Sequence, residues 1–187
     1  MIMKEKESIS ASIMENEAYQ NILSRTSVRN YTDQPIADEI KSAILHAGMA
    51  APSGVNKQPW EFILIDDKDI LKSLADSLPY AKMTAQAPMA IAVCGNSSRF
   101  LEGEDSTLWV QDVSAASENI LLAAHALGLG AVWTCLYPHE DRMETTSRIL
   151  NLPEGIVPFC LIPVGYPDKQ HAPIDKWHAE RVHINGY

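Results

Sequence analysis

The sequence predicts a single α+β domain, and three observations support this prediction. Its 187 residues, 46% apolar and 21% charged, suit one domain with a substantial core. Two helical segments come first, and strands and helices are mixed after them. No glycine-rich phosphate loop follows the first strand, so neither a P-loop nor a doubly wound dinucleotide-binding fold is expected. We therefore treat residues 1–187 as one domain.

Apolar residues at helical spacing predict five helices, at residues 13–24, 36–50, 68–78, 106–127 and 139–150. The second has the clearest pattern, because its apolar residues recur at i, i+4, i+7, i+8 and i+11. The fourth is the longest and carries a stripe of small residues, which lets another backbone or a flat ligand approach closely. The stripe consists of Ala115, Ala116, Ile120, Ala123, Ala124 and Leu127. This helix ends at the sequence GLG, where Gly128 suits the left-handed position after a helix.

Short apolar runs predict four strands, at residues 61–65, 87–95, 131–136 and 155–167. The second run is continuously apolar, which is typical of a buried strand, and Trp60 is expected in the core. The last strand is expected to be interrupted by Pro158 and Pro163. Residues 168–187 lack helical periodicity and are expected to be extended, whereas the polar residues 1–12 are expected to be flexible.

Charge and hydropathy argue against several kinds of partner. The net charge of -9 and the sequence pI of about 5.0 disfavour nucleic acid and anionic membranes, which attract basic surfaces. No stretch reaches the roughly 18 apolar residues that a membrane span needs. The charged N-terminus is not followed by the apolar segment of a secretory signal. We therefore expect a cytoplasmic protein with no membrane or nucleic-acid partner.

The three cysteines predict neither a metal site nor a disulfide framework. Cys94, Cys135 and Cys160 are far apart in the sequence, form no CxxC motif and are odd in number. Each lies in an apolar run, so all three are expected to be small buried side chains in a reducing compartment. The histidines show no HExxH spacing, and those on helices, His46 and His125, are expected to have capping or core roles.

The segment RTSVR at residues 25–29 is the first candidate binding motif. Helical periodicity stops at Ser24, and the residues that follow favour an extended chain. In an extended chain Arg25, Ser27 and Arg29 share one face. Two guanidinium groups and a hydroxyl on one face suit a phosphate, because arginine offers forked, charge-assisted donors. The alternative is a solvated basic turn with Thr26 and Val28 buried.

The segment PSGVNKQPW at residues 52–60 is the second candidate motif. Its two prolines stiffen the chain, and Gly54 lets backbone N–H groups approach a ligand. The amides of Asn56 and Gln58 can both donate and accept, as the edge of a heteroaromatic ring requires. The alternative is an ordinary connection from helix to strand.

Together the two motifs resemble the nitroreductase family of FMN-dependent oxidoreductases. That family has an R-x-S-x-R/K segment followed by a helix that leads into P-S-x-x-N-x-Q-P-W, and both are present in this order. The stretch QDVSAASENILLAAHALGLGAVW at 111–133 is similar to the family's long central helix, and GYPDKQHAPIDKWHAERVH at 165–183 to its terminal segment. The resemblance covers about residues 19–184. It implies a mostly antiparallel sheet flanked by helices, and an extended C-terminal arm exchanged in a homodimer.

The resemblance also implies a set of FMN-binding residues. They are Arg25, Thr26, Ser27, Arg29, Pro52, Ser53, Gly54, Asn56, Trp133, Thr134, Cys135, Leu136 and Lys176. The first segment matches the phosphate and ribityl contacts, the second reaches the flavin across the dimer interface, and the third lies against the ring near N5. Lys176 matches a basic phosphate ligand in the tail. Ile174 stands where many members have a second basic residue, which leaves Arg25, Arg29 or His171 to compensate.

The implied activity is an NAD(P)H-dependent flavin oxidoreductase. NADH or NADPH would reduce the flavin at N5, and a nitroaromatic, quinone or similar small acceptor would then take the electrons from the same face. No side chain is expected to act as a catalytic acid, base or nucleophile, since the cofactor carries the chemistry. The alternatives are a flavin-fragmenting or dehalogenating relative, a non-catalytic FMN-binding module, and a structural domain without cofactor. The segment NSSRFLEGEDS is short for a substrate-recognising lid.

Overall fold

The structure is a computed structural model that describes residues 9–169 and 171–187. It contains six α-helices among these residues: α1 (Ala11–Met14), α2 (Glu17–Ser24), α3 (Asp38–Met49), α4 (Lys68–Ser77), α5 (Trp109–Ala126) and α6 (Glu140–Leu150). The strands in the same part of the chain are β1 (Trp60–Ile65), β2 (Met89–Asn96), β3 (Gly130–Ala131), β4 (Thr134–Cys135) and β5 (Ile156–Gly165). No helix of the described residues is long and apolar enough to cross a membrane.

The five strands form one antiparallel sheet. Its order is β1-β2-β5-β3, and β4 also pairs with β5. Helices α3 and α5 cover one face, where Ile44 and Val113 are fully buried, and α4 and α6 cover the other. This architecture confirms the predicted α+β class, with an antiparallel sheet flanked by helices.

Most predicted elements are confirmed, with ends that differ by at most two residues. Trp60 is buried, as expected. Gly128 has a φ of 77°, so the expected left-handed residue follows α5. The α5 helix begins only at Trp109, because the predicted first turn is a 3-10 helix (Gly103–Thr107).

The predicted helix at 13–24 is wrong as a single element, because the chain breaks between α1 and α2. The Asn16 side chain accepts a hydrogen bond from the Tyr19 N–H at 3.0 Å and so starts α2 as its N-cap. The flexible segment expected at residues 1–12 overlaps the start of α1. Residues 1–8 lie outside the described part of the chain, whereas Ala11 already belongs to α1.

The predicted strand at 131–136 is two short strands, and a proline in the neighbouring strand explains the break. β3 and β4 share one register along β5, with Gly130 opposite Gly165 and Thr134 opposite Leu161. This register puts Val132 opposite Pro163, at a position where the ladder needs an N–H that proline lacks. The interruption expected within β5 itself is wrong. Pro163 keeps its place opposite Ala90 of β2, and β5 runs without a break. Beside Pro158, however, the register with β2 shifts by one residue, because Val93 faces Cys160 and Cys94 faces Pro158.

The tail is extended, as expected, apart from a 3-10 turn (Ala179–Arg181). Several of its apolar side chains face solvent. Ile174 is 76% exposed, and Trp177, Ile184 and Tyr187 are exposed as well. The apolar residues of the tail are therefore not covered by the chain's own core.

Candidate functional site

The segment at residues 25–29 is extended and lies beside β3. The Val28 N–H donates to the Ala131 carbonyl at 3.0 Å, and Ser27 forms a parallel bridge with Ala131. Val28 is buried, while Ser27 and Arg29 are exposed on the opposite side of the extended chain. The structure therefore confirms the expected extended conformation, and it shows the expected alternation from Ser27 to Arg29.

Arg25 is only partly available for a ligand. Its Nε lies 3.5 Å from Glu118 Oε1 on α5, and its side chain is 17% exposed against 49% for Glu118. The preceding helix α2 is attached to the same helix, since Asn21 donates to the Leu122 carbonyl at 3.1 Å. The first candidate motif is thus held against the C-terminal half of α5.

His125 supports this attachment through its contact with Ser24. Its Nε2 lies 2.8 Å from the Ser24 hydroxyl. Burial, and secondarily the neighbouring Arg25 charge, lower the pKa of His125, so the ring remains neutral and able to share this hydrogen bond. His125 is only partly buried and contacts a side chain of another helix, so the capping or core role expected for it is not confirmed.

The second motif is a strained connection that is attached to the first turn of α5. The Gly54 N–H donates to Asp112 Oδ1 at 2.8 Å, and the Gln58 N–H donates to the Ser53 hydroxyl at 2.9 Å. Three non-glycine residues have left-handed φ angles, namely Val55 (50°), Asn56 (54°) and Gln58 (48°). Val55 is also 81% exposed. A β-branched residue is an outlier in this conformation, and such strain is concentrated at functional sites.

The third predicted segment, residues 133–136, lies along the outer side of β5 at the edge of the sheet. The Leu136 N–H donates to the Phe159 carbonyl at 3.1 Å, so these two residues form a hydrogen-bonded pair of the β4–β5 ladder. Because pairs alternate in antiparallel sheets, the main-chain groups of Cys135 point away from β5. The Cys135 carbonyl accepts from Arg142 Nη1 at 3.1 Å, which confirms this direction.

The side chains of this segment have different roles. Thr134 is buried and its hydroxyl donates to the Leu161 carbonyl at 2.6 Å, Leu136 is buried, and Trp133 packs against Phe159. Cys135 is exposed, so the expectation that all three cysteines are buried is wrong at this position, although Cys94 and Cys160 are buried. An edge strand exposes alternate positions even in an apolar run.

The structure brings the first and third segments together along one sheet edge, next to the β3–β4 break. The second segment, with Pro52 exposed at its start, is connected to them through α5. Lys176 lies exposed in the tail, and no hydrogen bond or ion pair among the described residues joins it to the other predicted residues. The Nε2 atom of His171 is buried, and no hydrogen-bond partner for it is found among the residues that the structure describes.

Three residues that hold the site were missed in the sequence. Asp112 and Glu118 of α5 position Gly54 and Arg25, and Arg142 of α6 fixes the Cys135 carbonyl. The guanidinium of Arg142 also lies 5.9 Å from the ring centre of Tyr80. The signal available in the sequence was that Asp112 and Glu118 are the two acidic residues of α5, because an acid that becomes buried, as Asp112 does, needs a hydrogen-bond donor.

Fold and site together define an α+β protein with a candidate ligand site at a sheet edge, lined by arginine, hydroxyl and main-chain groups. The model of the nitroreductase family matches residues 22–79 and 75–166. The chain therefore belongs to the nitroreductase family, as its motifs predicted.

Individual relatives agree with this assignment. A protein of Methanothermobacter thermautotrophicus, provisionally named NADH dehydrogenase/NAD(P)H nitroreductase, is 42% identical over 176 residues, which are 94% of this chain and 91% of the relative. A crystal structure with the same provisional name from Bacteroides thetaiotaomicron is 48% identical, with a TM-score of 0.87 over 92% of this chain and 99% of that one. A provisionally assigned nitroreductase of Desulfovibrio desulfuricans, solved in complex with FMN, is 31% identical with a TM-score of 0.77, over 92% and 99% of the two chains.

Proposed function

We propose that this protein is an NAD(P)H-dependent flavin oxidoreductase that binds FMN at the edge formed by residues 25–29 and 133–136. The observation that carries this proposal is the position of the arginine segment directly beside β3, next to the outward-facing main chain of Cys135. Family membership and the names of the relatives support the enzyme class and the cofactor. The electron acceptor in this proposal is a nitroaromatic, a quinone or a similar small molecule.

The donor set of the site fits FMN. Arg29 and Ser27 are exposed on one face of an extended segment and Arg25 lies close by, which gives the charge-assisted donors that a phosphate needs. The Cys135 N–H points off the sheet edge, where a planar ring can accept from it. In the strained segment at 53–58, the amide side chains of Asn56 and Gln58 are exposed, and the left-handed backbone of both residues fixes their direction.

Bound FMN supplies hydride transfer through its N5 atom. The chain's own residues bind and orient it: Arg25 and Arg29 hold the phosphate, Ser27 adds a hydroxyl, and the segment at 53–56 contacts the ring. Arg142 keeps the Cys135 carbonyl turned away from β5, so that the adjoining N–H stays directed outward. No side chain of the site is assigned as an acid, a base or a nucleophile.

If one site served both substrates, NADH or NADPH and the electron acceptor would bind there in turn, and the kinetics would be of the ping-pong type. The test is steady-state kinetics with varied NADH or NADPH and a quinone such as menadione. Parallel double-reciprocal lines are expected, and intersecting lines with both substrates bound at once would rule out the shared face. Bleaching of the flavin absorbance on addition of NADH or NADPH alone separates this enzyme from a non-catalytic FMN-binding module.

The protein works as a homodimer in this proposal. The exposed apolar side chains of the tail need a surface to cover, and others are exposed on α2, at the end of α3 and after α5: Ile22, Leu23, Met49 and Leu127. An extended arm can bury such residues on a partner copy, and two-fold symmetry would then create two equivalent sites. Light scattering at micromolar concentration tests this arrangement. A single yellow species of 20.7 kDa would contradict both the dimer and a flavin site shared between subunits.

The compartment in this proposal is the cytoplasm. The reason for this proposal is the cysteine pattern of the sequence, which is odd in number, widely spaced and without a CxxC motif.

A further inference from the structure

The sheet places two of the three cysteines opposite each other on neighbouring strands. Cys135 of β4 is the register partner of Cys160 of β5. The two residues are 25 positions apart in the chain, and each belongs to an apolar run that gives no sign of the pairing. Neither residue is placed in a redox role by the proposed function.

The type of pair they form suits a disulfide. Leu136 and Phe159 are a hydrogen-bonded pair of this ladder, so the next pair along, Cys135 and Cys160, is a non-hydrogen-bonded one. The Cα atoms of such a pair lie about 4.5 Å apart, with both side chains on the same face. That separation falls within the range of roughly 4.4–6.8 Å that a disulfide spans.

Cys94 does not compete for this partner. It follows Val93, which packs with Cys160 in the core between the sheet and helices α3 and α5. Because side chains alternate along a strand, Cys94 points to the opposite face of the sheet from Val93. Cys94 is also completely buried, which makes it a matched control.

The environments of the two thiols assign them different roles. Cys135 is exposed and can meet an oxidant from solution, whereas Cys160 is completely buried. Burial raises the pKa of the Cys160 thiol strongly, and the nearby Ser117 hydroxyl, 3.4 Å from its sulfur, opposes this only in part. Cys160 is therefore unreactive towards solution oxidants but is already positioned to resolve an oxidised Cys135.

We propose that Cys135 and Cys160 form a reversible disulfide when the protein meets hydrogen peroxide. The Cys135 thiolate attacks one peroxide oxygen, the O–O bond breaks, and a sulfenic acid forms as hydroxide leaves and takes up a proton. The Cys160 sulfur then attacks the Cys135 sulfur, so that the S–S bond forms and the S–O bond breaks, while the Cys160 proton leaves with the hydroxide as water. Two thiols lose two electrons in total, and one peroxide becomes two waters.

Closing this bond has a consequence for the site that rests on the proposed function. Cys135 is part of the strand end whose main chain faces the proposed flavin position. A bond to Cys160 draws its side chain towards β5 and constrains that strand end. The oxidised protein therefore binds FMN more weakly, and thiol reduction restores the binding.

The test counts thiols in the purified full-length protein, with FMN bound and after its removal. The protein is treated with hydrogen peroxide, denatured, alkylated with N-ethylmaleimide and weighed by mass spectrometry. The alkylated cysteines should fall from three to one with loss of two hydrogens, peptide mapping should link Cys135 to Cys160, and dithiothreitol should restore all three. Cys135→Ser and Cys160→Ala should each abolish the linkage, and Cys94→Ala should retain it.

Several results would overturn the proposal. These are three alkylated cysteines in both forms of the protein, irreversible sulfinic acid at Cys135 without a linkage, a linkage through Cys94, or a disulfide between two chains. Peptide mapping of the disulfide in the parent protein tests the proposal without any variant, so it still decides the question if Cys160→Ala misfolds. The number of alkylated thiols can be counted whether or not the protein binds FMN. An FMN dissociation constant unchanged by oxidation would refute only the consequence for the site, and a protein that never binds FMN would refute the proposed function instead.

Discussion

Arg25 is predicted to contribute more to FMN binding than Ser27, and Glu118 is predicted to oppose it. Replacing Arg25 by alanine removes a charged donor to the phosphate, which costs roughly 1.5–3 kcal/mol, or about 10- to 150-fold in the FMN dissociation constant. Ser27→Ala removes a neutral hydroxyl, and the corresponding cost is about 1 kcal/mol, or roughly fivefold. The two variants thus differ by a measurable factor.

The ion pair with Glu118 gives this prediction its sharpest test. The Arg25 Nε and Glu118 Oε1 atoms are 3.5 Å apart, and Glu118 is about half exposed, so the pair is screened by solvent. Such a pair is worth about 0–1 kcal/mol. Because the carboxylate competes with the phosphate for Arg25, Glu118→Gln should tighten FMN binding by up to about fivefold.

Quenching of flavin fluorescence measures the FMN dissociation constants of the parent protein and of the three variants, and urea unfolding confirms that each variant is folded. The affinity of Arg25→Ala should also depend less on salt than that of the parent protein. Equal dissociation constants for Arg25→Ala, Ser27→Ala and the parent would refute the phosphate assignment. A tenfold weakening in Glu118→Gln would show that the ion pair serves to orient Arg25 rather than to compete with the ligand.

Three further predictions concern the attachments of the site. Asp112→Ala leaves the Gly54 N–H without its acceptor and should cost about 1–3 kcal/mol in urea unfolding, while Asp112→Asn, which keeps an oxygen, should cost less; equal losses would contradict the role of the hydrogen bond. Gly130→Ala would put a methyl group 2.6 Å from the Val28 Cβ, so it should destabilise the fold by roughly 1–3 kcal/mol and weaken FMN binding by displacing the arginine segment; unchanged FMN affinity would argue against that segment as the binding site. Truncation before Asp168 should release FMN and dissociate the dimer together, as followed by fluorescence and light scattering; a truncated monomer that retains FMN would refute the arm exchange.

Local patterns predicted most of the fold because they report on burial along a single element. The periodicity of residues 36–50 and the continuous apolar run at 87–95 each specify one helix and one strand without reference to the rest of the chain. The break at Asn16 was also within reach of the sequence, since asparagine followed by a glutamate is a common helix start.

The remaining differences depend on partners that are distant in the sequence. Pro163 breaks the pairing of Val132, and nothing near Val132 indicates this. Cys135 lies in an apolar run but at a sheet edge, and its exposure depends on which strands lie beside it. Motifs in the sequence indicate which residues to propose as FMN contacts. They do not indicate the residues that hold this candidate site, because Glu118 and Arg142 meet their partners only after folding.

The two attachments on α5 have a consequence for how this chain tolerates changes in length. Asp112 and Glu118 are six residues apart, so their contacts with Gly54 and Arg25 are separated by about 9 Å along the helix axis. This separation is set by α5 alone and does not depend on how many residues connect the segment at 25–29 to the segment at 52–60. Insertions at residues 33–35, which are exposed between the buried residues Tyr31 and Ile36, are therefore expected to be tolerated. One residue inserted between Asp112 and Glu118 would rotate one attachment by about 100° relative to the other and separate the two halves of the site.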